Sequence, residues 1–323
     1  MLKCASFFAG VGGIDLGFKE AGFETIYANE FDEYAAETFE LNFQTKVDKR
    51  DLRNIPATDI PDFDILLAGF PCQAFSIAGK RQGFEDEKGR GELFFELVRI
   101  MEEKRPRIAF FENVKNLVQH DNGKTYKVIC AELDRLGYKY SAKVMNACEY
   151  GNIPQGRERI YIVAFRQTED FNNFTMPEKI PLTKTLRDVI DFAGECHSSC
   201  YYTKENCYFY EQLQQVVKSQ NTTYQWRRVY VRENKSNLIP TLTANMGTGG
   251  HNVPIILADD GRFRKLFPRE CFNAQGFPIS FKLPNQSNGR LYKQAGNSVC
   301  VPVINRIAER IKAAIKEGKQ WED

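Results

Sequence analysis

The segment Asp64-Ile65-Leu66-Leu67-Ala68-Gly69-Phe70-Pro71-Cys72-Gln73-Ala74-Phe75-Ser76 sets the architecture. Ile65 to Ala68 is a short apolar run closed by Gly69 and Pro71, and it reads as a buried strand that stops abruptly. Cys72 then stands at the strand's carboxyl end, just past a proline that stiffens the turn. In open parallel sheets that edge is where ligands bind, so a thiol there can be presented to a pocket as a nucleophile. The alternative is that Cys72 is one more small buried residue, as most cysteines are. Its neighbours along the chain decide between the two.

Upstream, Leu2 to Phe8 reads as a first strand, followed at once by Ala9-Gly10-Val11-Gly12-Gly13. Ile14, Leu16, Phe18 and Ala21 then mark a short helix with one apolar face. Strand, glycine turn and helix open a nucleotide-type βαβ unit. The spacing is not the dinucleotide fingerprint, because Asp15 stands where its third glycine would be, and no Lys-Ser or Lys-Thr follows, which excludes a P-loop. The second strand, Glu24 to Ala28, ends at Asn29-Glu30-Phe31-Asp32. Glu30 is placed to accept hydrogen bonds from two ribose hydroxyls, Phe31 to stack on an adenine, and Asp32 to cap the helix Tyr34 to Asn42. A third segment ends at Asp51-Leu52, where Asp51 could accept from an exocyclic amine. Glycines, an acid and a second acid at three strand ends describe an adenosyl pocket better than a phosphate pocket.

Downstream, Gln73 to Gly91 is polar, punctuated by glycines and carries Lys80, Arg81, Lys88 and Arg90. A basic, hinged loop beside a nucleophile reads as a lid over an anionic substrate. A helix from Leu93 to Met101 leads to a buried strand, Arg107 to Phe111, that ends in Glu112-Asn113-Val114. Burial at such an edge raises a glutamate pKa, which suits Glu112 to donate or share a proton; Asn113 is available as a helix cap. A helix (Thr125 to Leu136) and a strand (Tyr138 to Asn146) follow. Then Tyr150-Gly151-Asn152-Ile153-Pro154-Gln155-Gly156-Arg157-Glu158-Arg159 enters the strand Ile160 to Phe165. Arg157 and Arg159 alternate, which puts both guanidinium groups on one face as a clamp for a phosphate or a carbonyl.

From about Thr168 to Asp260 prolines, Asn, Thr and aromatics rise and helical periodicity fades, as in an irregular β-rich domain. Cys196, His197, Cys200 and Cys207 match no standard finger spacing, and no metal is expected. Tyr224-Gln225-Trp226-Arg227-Arg228-Val229-Tyr230-Val231-Arg232 interleaves bases with aromatics, a pattern suited to nucleic acid. Between Gln225 and Arg269 the bases Arg227, Arg228, Arg232, Lys235, Arg262, Arg264, Lys265 and Arg269 outnumber the acids Glu233, Asp259 and Asp260, a local patch that the net charge of +2 hides. The end of the chain is α/β again, through Gln275-Gly276-Phe277-Pro278 and Gln294-Ala295-Gly296-Asn297-Ser298-Val299 into the helix Val303 to Ile315. A chain that leaves a sheet domain and returns has its small domain inserted. The expected division is 1–184 for the sheet domain, 185–265 for the inserted domain and 266–323 for the hinge and return to the sheet domain. With 42% hydrophobic residues in 323, a substantial core is expected. Nine cysteines, no signal peptide and no membrane-length apolar run point to a reducing cytoplasm.

Taken together these motifs resemble the cytosine-C5 DNA methyltransferase family, in family order and over nearly the whole chain. The resemblance rests on Phe8 to Gly13, Asn29 to Asp32, Gly69 to Ser76, Glu112-Asn113-Val114, Gln155-Gly156-Arg157-Glu158-Arg159, Arg269-Glu270-Cys271 with Gln275 to Pro278, and Gly296 to Val299. In detail the chain is similar to the short bacterial restriction-modification enzymes. The resemblance implies an α/β fold, a doubly wound mixed sheet of the S-adenosylmethionine-dependent methyltransferase (Rossmann-like) type with a smaller irregular β-rich target-recognition domain.

The activity it implies is methyl transfer from S-adenosylmethionine to C5 of a flipped-out cytosine in double-stranded DNA. Cys72 would attack C6, Glu112 would meet N3, Arg159 would hold O2, and Arg157 would support a phosphate and the loop. Phe8, Gly10, Val11, Gly13, Glu30, Phe31, Asp51, Leu52, Pro71, Leu93, Asn297, Ser298 and Val299 would surround the cofactor. Gln73, Ser76, Arg90, Arg228 and Thr241 would touch DNA, and Gln225 stands where close relatives place a residue that enters the vacated stack. Relatives often carry Trp where Phe31 stands and Asp where Ser6 stands. A monomer acting beside a cognate endonuclease is the family expectation. The rival readings are a tRNA cytosine methyltransferase of the same fold and a catalytically silent DNA-binding relative.

Overall fold

Residues 2–71, 92–195, 197–247 and 253–315 are described by the structure, a computed structural model. They fall into two units: Met1–Met145 with Glu158–Glu178 and Ile304–Asp323, and Asn146–Arg157 with Lys179–Val303. The elements run β1 (Lys3–Phe7), α1 (Gly13–Glu20), β2 (Glu24–Asn29), α2 (Glu33–Asn42), β3 (Val47–Asp48), β4 (Ile65–Ala68), α3 (Glu92–Lys104), β5 (Ile108–Val114), α4 (Lys124–Arg135), β6 (Lys139–Asn146), α5 (Ala147–Tyr150), β7 (Gln155–Gly156), β8 (Glu158–Phe165) and α6 (Thr168–Asn173).

The large sheet has the order β3-β2-β1-β4-β5-β8-β6. Its first five strands are parallel, and β8 runs antiparallel to β5. The four residues of β4 are all fully buried, as expected of a parallel strand covered on both faces. The chain moves outward from β1 to β3 and then returns to β4 on the other flank of β1. This makes the carboxyl ends of β1 and β4 the switch point of the sheet, where such folds bind ligands. Phe7 and Ala68, the last residues of the two strands, are register partners.

One carboxyl of this unit is folded away among hydroxyl groups. Asp15, in the first turn of α1, is fully buried and accepts from Ser6 Oγ at 3.0 Å and Thr25 Oγ1 at 2.9 Å. Burial outweighs these bonds and raises its pKa from 3.8 to about 6. The folded state therefore holds this proton more firmly than the unfolded chain does. Stability contributed by the protonated form is lost as pH rises through that interval, about 3 kcal/mol by neutral pH. Asp15→Asn is expected to flatten the pH dependence across this window and to raise stability near pH 8 by about 1–3 kcal/mol, read from urea midpoints. If the slope survives in the variant, another group carries it.

The second unit continues with α7 (Tyr210–Val216), β9 (Tyr224–Trp226), β10 (Val231–Glu233), β11 (Ile239–Pro240), β12 (Ile255–Leu257), β13 (Phe263–Lys265), α8 (Pro268–Asn273) and α9 (Asn288–Asn297); α10 (Val301–Ala314) then begins in this unit and runs on past its end. A four-stranded sheet, β10-β9-β12-β13, is antiparallel throughout. Its core stacks Trp226 on Phe209, with ring centroids 4.2 Å apart. β11 pairs in parallel with β7.

Asn146–Arg157 and Lys179–Val303 thus make up the unit that holds the small sheet. One expectation needs correcting here. Arg264, counted in the basic patch, is completely buried. It pairs bidentately with Glu270 at 2.9 Å, an acid lying one position past the stretch over which charges were compared. Among the described residues no helix is long and apolar enough to cross a membrane.

Candidate active site

The glycine turn after β1 works through backbone geometry. Phe8, Gly10 and Gly12 all have positive φ, at 54°, 56° and 86°. At Gly12 a Cβ would fall 2.3 Å from the Phe43 ring, so only glycine fits. Val11 is buried, and Gly13 opens α1. Glu30, just past β2, is held by two backbone donors: Gly10 N–H to one carboxylate oxygen and Asp32 N–H to the other, both at 2.8 Å.

Asp32 caps α2, accepting from Tyr34 and Ala35, so the cap falls to Asp32 and not to Glu30. Asn29 Nδ2 donates to the Asp48 and Arg50 carbonyls at 2.9 Å, fixing the third strand end beside the second. Phe31 is 70% exposed, an aromatic face with no core to fill. A pinned carboxylate, a glycine-rich turn and an exposed ring could hold a ribose-bearing, adenine-bearing methyl donor.

Asp51 caps the short helical turn Leu52–Asn54 and accepts from the Arg53 side chain. The Arg53 guanidinium holds its carboxyl below the usual range. Leu52 is buried, Leu93 half-buried and Pro71 exposed. Asn297, Ser298 and Val299 stand at the end of α9 in the second unit. Ser298 Oγ is buried and has no hydrogen-bond partner among the described residues.

The acid side of the site forms where parallel pairing gives way to antiparallel. β4 and β5 pair as far as Ala68 and Phe111. β8 carries β5 onward, with Glu112 opposite Tyr161 and Val114 opposite Arg159. Glu112 therefore lies inside a strand, not past its end. Arg159 is its diagonal neighbour on the same face of the ladder, and Arg159 Nε lies 3.1 Å from Glu112 Oε1. Both side chains are nearly buried, at 13% and 10% exposed.

A Cβ on Gly69 would come within 3.6 Å of Glu112 Oε2, which places the carboxylate beside the strand end that leads to Cys72. Asn113 is not a helix cap. Its Nδ2 donates to the Phe70 carbonyl at 2.8 Å, and its side-chain oxygen accepts from Val114 N–H. Phe70 is anchored in turn against Phe94 and Phe111, with centroids 5.4 and 6.0 Å away.

Cys72, Gln73, Ser76, Arg90 and Cys196 lie outside the described residues. Arg157 does not share a clamp with Arg159. It is buried, and its guanidinium donates to the carbonyls of Leu242, Gly296 and Ser298. Thr241 Oγ1 donates to the Gly156 carbonyl at 2.5 Å, which uses its only proton. Gln225 sits on β9 and accepts from Arg232 at 3.0 Å. Arg228 is exposed in the β9–β10 turn with φ 67°. Gln155 and Gln275, both fully buried, lie within motifs yet carry no role in the sequence reading; they bond each other and distant backbone atoms that no spacing reveals.

Known proteins resemble this chain over nearly its whole length. Residues 2–313 match the family described as C-5 cytosine-specific DNA methylase. The type II methyltransferase M.Bsp6I of Bacillus sp. (strain RFL6) is 58% identical over 312 residues, covering 96% of this chain and 98% of the relative. M.HhaI of Haemophilus parahaemolyticus is 39% identical over 97% of this chain and 95% of its own length. Among solved structures, DNMT2 of Spodoptera frugiperda superposes with a TM-score of 0.74 at 19% identity, covering 97% of this chain and all of that one. A match in order along almost the whole chain leaves one assignment: the protein is an enzyme of the C-5 cytosine-specific DNA methylase family.

Proposed function

We propose that this methyltransferase takes its methyl group from S-adenosylmethionine and places it on C5 of one cytosine within a specific duplex sequence, as the modification member of a type II restriction-modification pair in the cytoplasm, acting as a monomer. The observation that carries the reading is the Glu112–Arg159 ion pair beside Gly69, three residues before a cysteine. A cytosine is poorly nucleophilic at C5 and presents N3 and O2 side by side. An acid and a guanidinium next to each other match those two atoms.

In this scheme S-adenosylmethionine, when bound, supplies an electrophilic methyl group. Phe8, Gly10, Val11 and Gly13 bound its pocket, Glu30 takes the ribose hydroxyls and Phe31 stacks on adenine, with Leu52, Pro71, Leu93 and Asn297 to Val299 around them. The Cys72 thiolate bonds to C6 and its electron pair raises the density at C5. Glu112 holds a proton at N3, which spares the ring a full negative charge, and Arg159 holds O2. Once C5 carries the methyl group, its proton passes to water, the electron pair of that C–H bond expels the Cys72 thiolate from C6, and the N3 proton returns to Glu112, which restores the aromatic ring. The base must leave the stack to be reached. Gln73, Ser76 and Arg90 from one side, and Gln225 and Arg228 from the 185–265 region, are the proposed DNA contacts. Thr241 joins them through its lone pairs or by releasing Gly156.

Incubation with methyl-labelled S-adenosylmethionine and either duplex DNA or tRNA tests the reading; label in tRNA alone would overturn it. Bisulfite mapping of a methylated genome then gives the sequence. Glu30→Ala is expected to weaken S-adenosylmethionine binding by roughly 10- to 100-fold, the worth of one or two hydrogen bonds to a charged acceptor. Titration calorimetry measures this, and unchanged affinity would remove Glu30 from the pocket.

A further inference from the structure

The hairpin that joins β9 to β10 is built against the preferences of its own turn. Val231 pairs with Trp226 and Arg232 with Gln225, and Arg227 N–H donates to the Tyr230 carbonyl at 2.9 Å. That leaves Arg228 and Val229 as a two-residue loop. The backbone is left-handed at Arg228, with φ 67°, and not at Val229. A hairpin turn with positive φ at its first central residue takes glycine there, and small polar residues suit such a tip. Here an arginine carries the backbone cost, and the residue beside it is β-branched, apolar and 75% exposed. Local preferences are overridden in this way chiefly where a residue serves function.

The rest of the hairpin holds that tip out. β10 is the last strand of the small sheet, so β9 and β10 form a two-stranded ribbon along its edge. Alternation turns Trp226 and Val231 inward, where both are buried, and Arg227, Tyr230 and Arg232 outward, where all three are exposed. The stack of Trp226 on Phe209 fixes the inner face. From α7, Gln212 Nε2 donates to the Val229 carbonyl at 3.4 Å. The backbone of the tip is thereby anchored while its side chain stays in solvent.

Charge names the partner. Arg227, Arg228 and Arg232 stand exposed within six residues, against one carboxylate at Glu233. A second copy of this chain would bring like charges to the same place, which is unfavourable. An apolar tip ringed by guanidinium groups suits a polyanion that keeps apolar groups inside its charged rim. The major groove of duplex DNA is such a surface: phosphates edge it, thymine methyl groups project into it, and it admits a two-stranded ribbon.

We propose that Val229 is a specificity-determining residue that packs against the methyl group of a thymine in the major groove. This rests on the reading above, in which the 185–265 region faces duplex DNA, and adds an apolar contact to the polar ones given to Gln225 and Arg228. Contacts from arginine to phosphate set the register of the ribbon and carry no sequence information; the valine does carry it, because only thymine offers that methyl.

The test compares thymine with uracil, which differ by the methyl group alone. Duplexes carry the mapped site, with each of its thymines replaced in turn, and with thymine or uracil placed in turn at each free or flanking position. Dissociation constants are read by fluorescence anisotropy. At one position the thymine duplex is expected to bind the wild-type protein about fourfold more tightly, the worth of one buried methyl group. In Val229→Ser that ratio should fall to one, while affinity for a duplex lacking the site, which is set by phosphate contacts, stays within about twofold of wild type. Val229→Thr, which keeps the branch and one of the two methyl groups, should give an intermediate ratio. A wild-type protein indifferent to every thymine methyl would overturn the proposal. So would a methyl effect of full size in Val229→Ser, since the shape of the DNA would then account for it. Either result leaves the parent reading standing as long as duplex DNA is methylated; a protein that methylates no duplex would overturn both.

Discussion

Cys72→Ser is expected to lower methyl transfer by roughly four orders of magnitude or more, with DNA and cofactor affinity nearly unchanged. The chemistry needs a nucleophile that adds to C6 and later departs. A thiol is partly ionised near neutral pH and strongly nucleophilic, whereas a serine hydroxyl is neither. The structure shows how the approach to this residue is fixed. Phe70 is locked among Phe94 and Phe111, and Asn113 grips its carbonyl. The reaction can also be trapped. With 5-fluorocytosine in the duplex, fluorine replaces the proton that must leave C5, and the sulfur–carbon bond should persist as a protein–DNA adduct stable to denaturation. The adduct is expected from the wild-type protein and not from Cys72→Ser. Substantial turnover by the variant would remove the covalent step, and a wild-type protein that forms no adduct would favour the silent DNA-binding alternative.

Glu112→Gln is expected to slow turnover by about 10²- to 10⁴-fold, the span for losing a positioned acid or base. Glutamine keeps the shape of the side chain but cannot supply a proton at N3. It also leaves the Arg159 guanidinium, 13% exposed, without its neighbouring carboxylate. Some loss of stability is expected with the loss of rate, because removing one partner of a secluded ion pair strands the other. A double-mutant cycle with Arg159→Ala separates the two effects. If the pair acts as one device on N3 and O2, the double variant should be hardly slower than the worse single one. Full additivity in the rates would mean that the two residues act independently.

Much of the large sheet was legible because its strand ends carry their own punctuation. Gly10 to Gly13, Glu30, Gly69 with Pro71, and Glu112 each follow a short apolar run, and each falls at or next to the end of a strand or its parallel pairing. The fate of Arg157 was not legible. Its alternation with Arg159 suggested a common face, but β8 begins only at Glu158. The Arg157 guanidinium turns instead to carbonyls 85 to 141 residues away in sequence. Carbonyl groups belong to every residue type, so no composition or motif marks such partners. Arg264 shows the same limit: a charge tally reads it as surface, while the fold hides it against Glu270.

The placement of Glu112 and Arg159 across one antiparallel ladder has an evolutionary corollary. Their adjacency is fixed by strand register, not by the intervening loops and helices. Lengthening α4 or the connections around it leaves Val114 opposite Arg159 and the pair intact. One residue gained or lost within β8 on the far side of Arg159 from its turn would rotate the arginine to the other side of the pleat. Insertions and deletions should therefore be abundant among descendants of this gene outside the two strands and purged within them, even where every reactive group is retained.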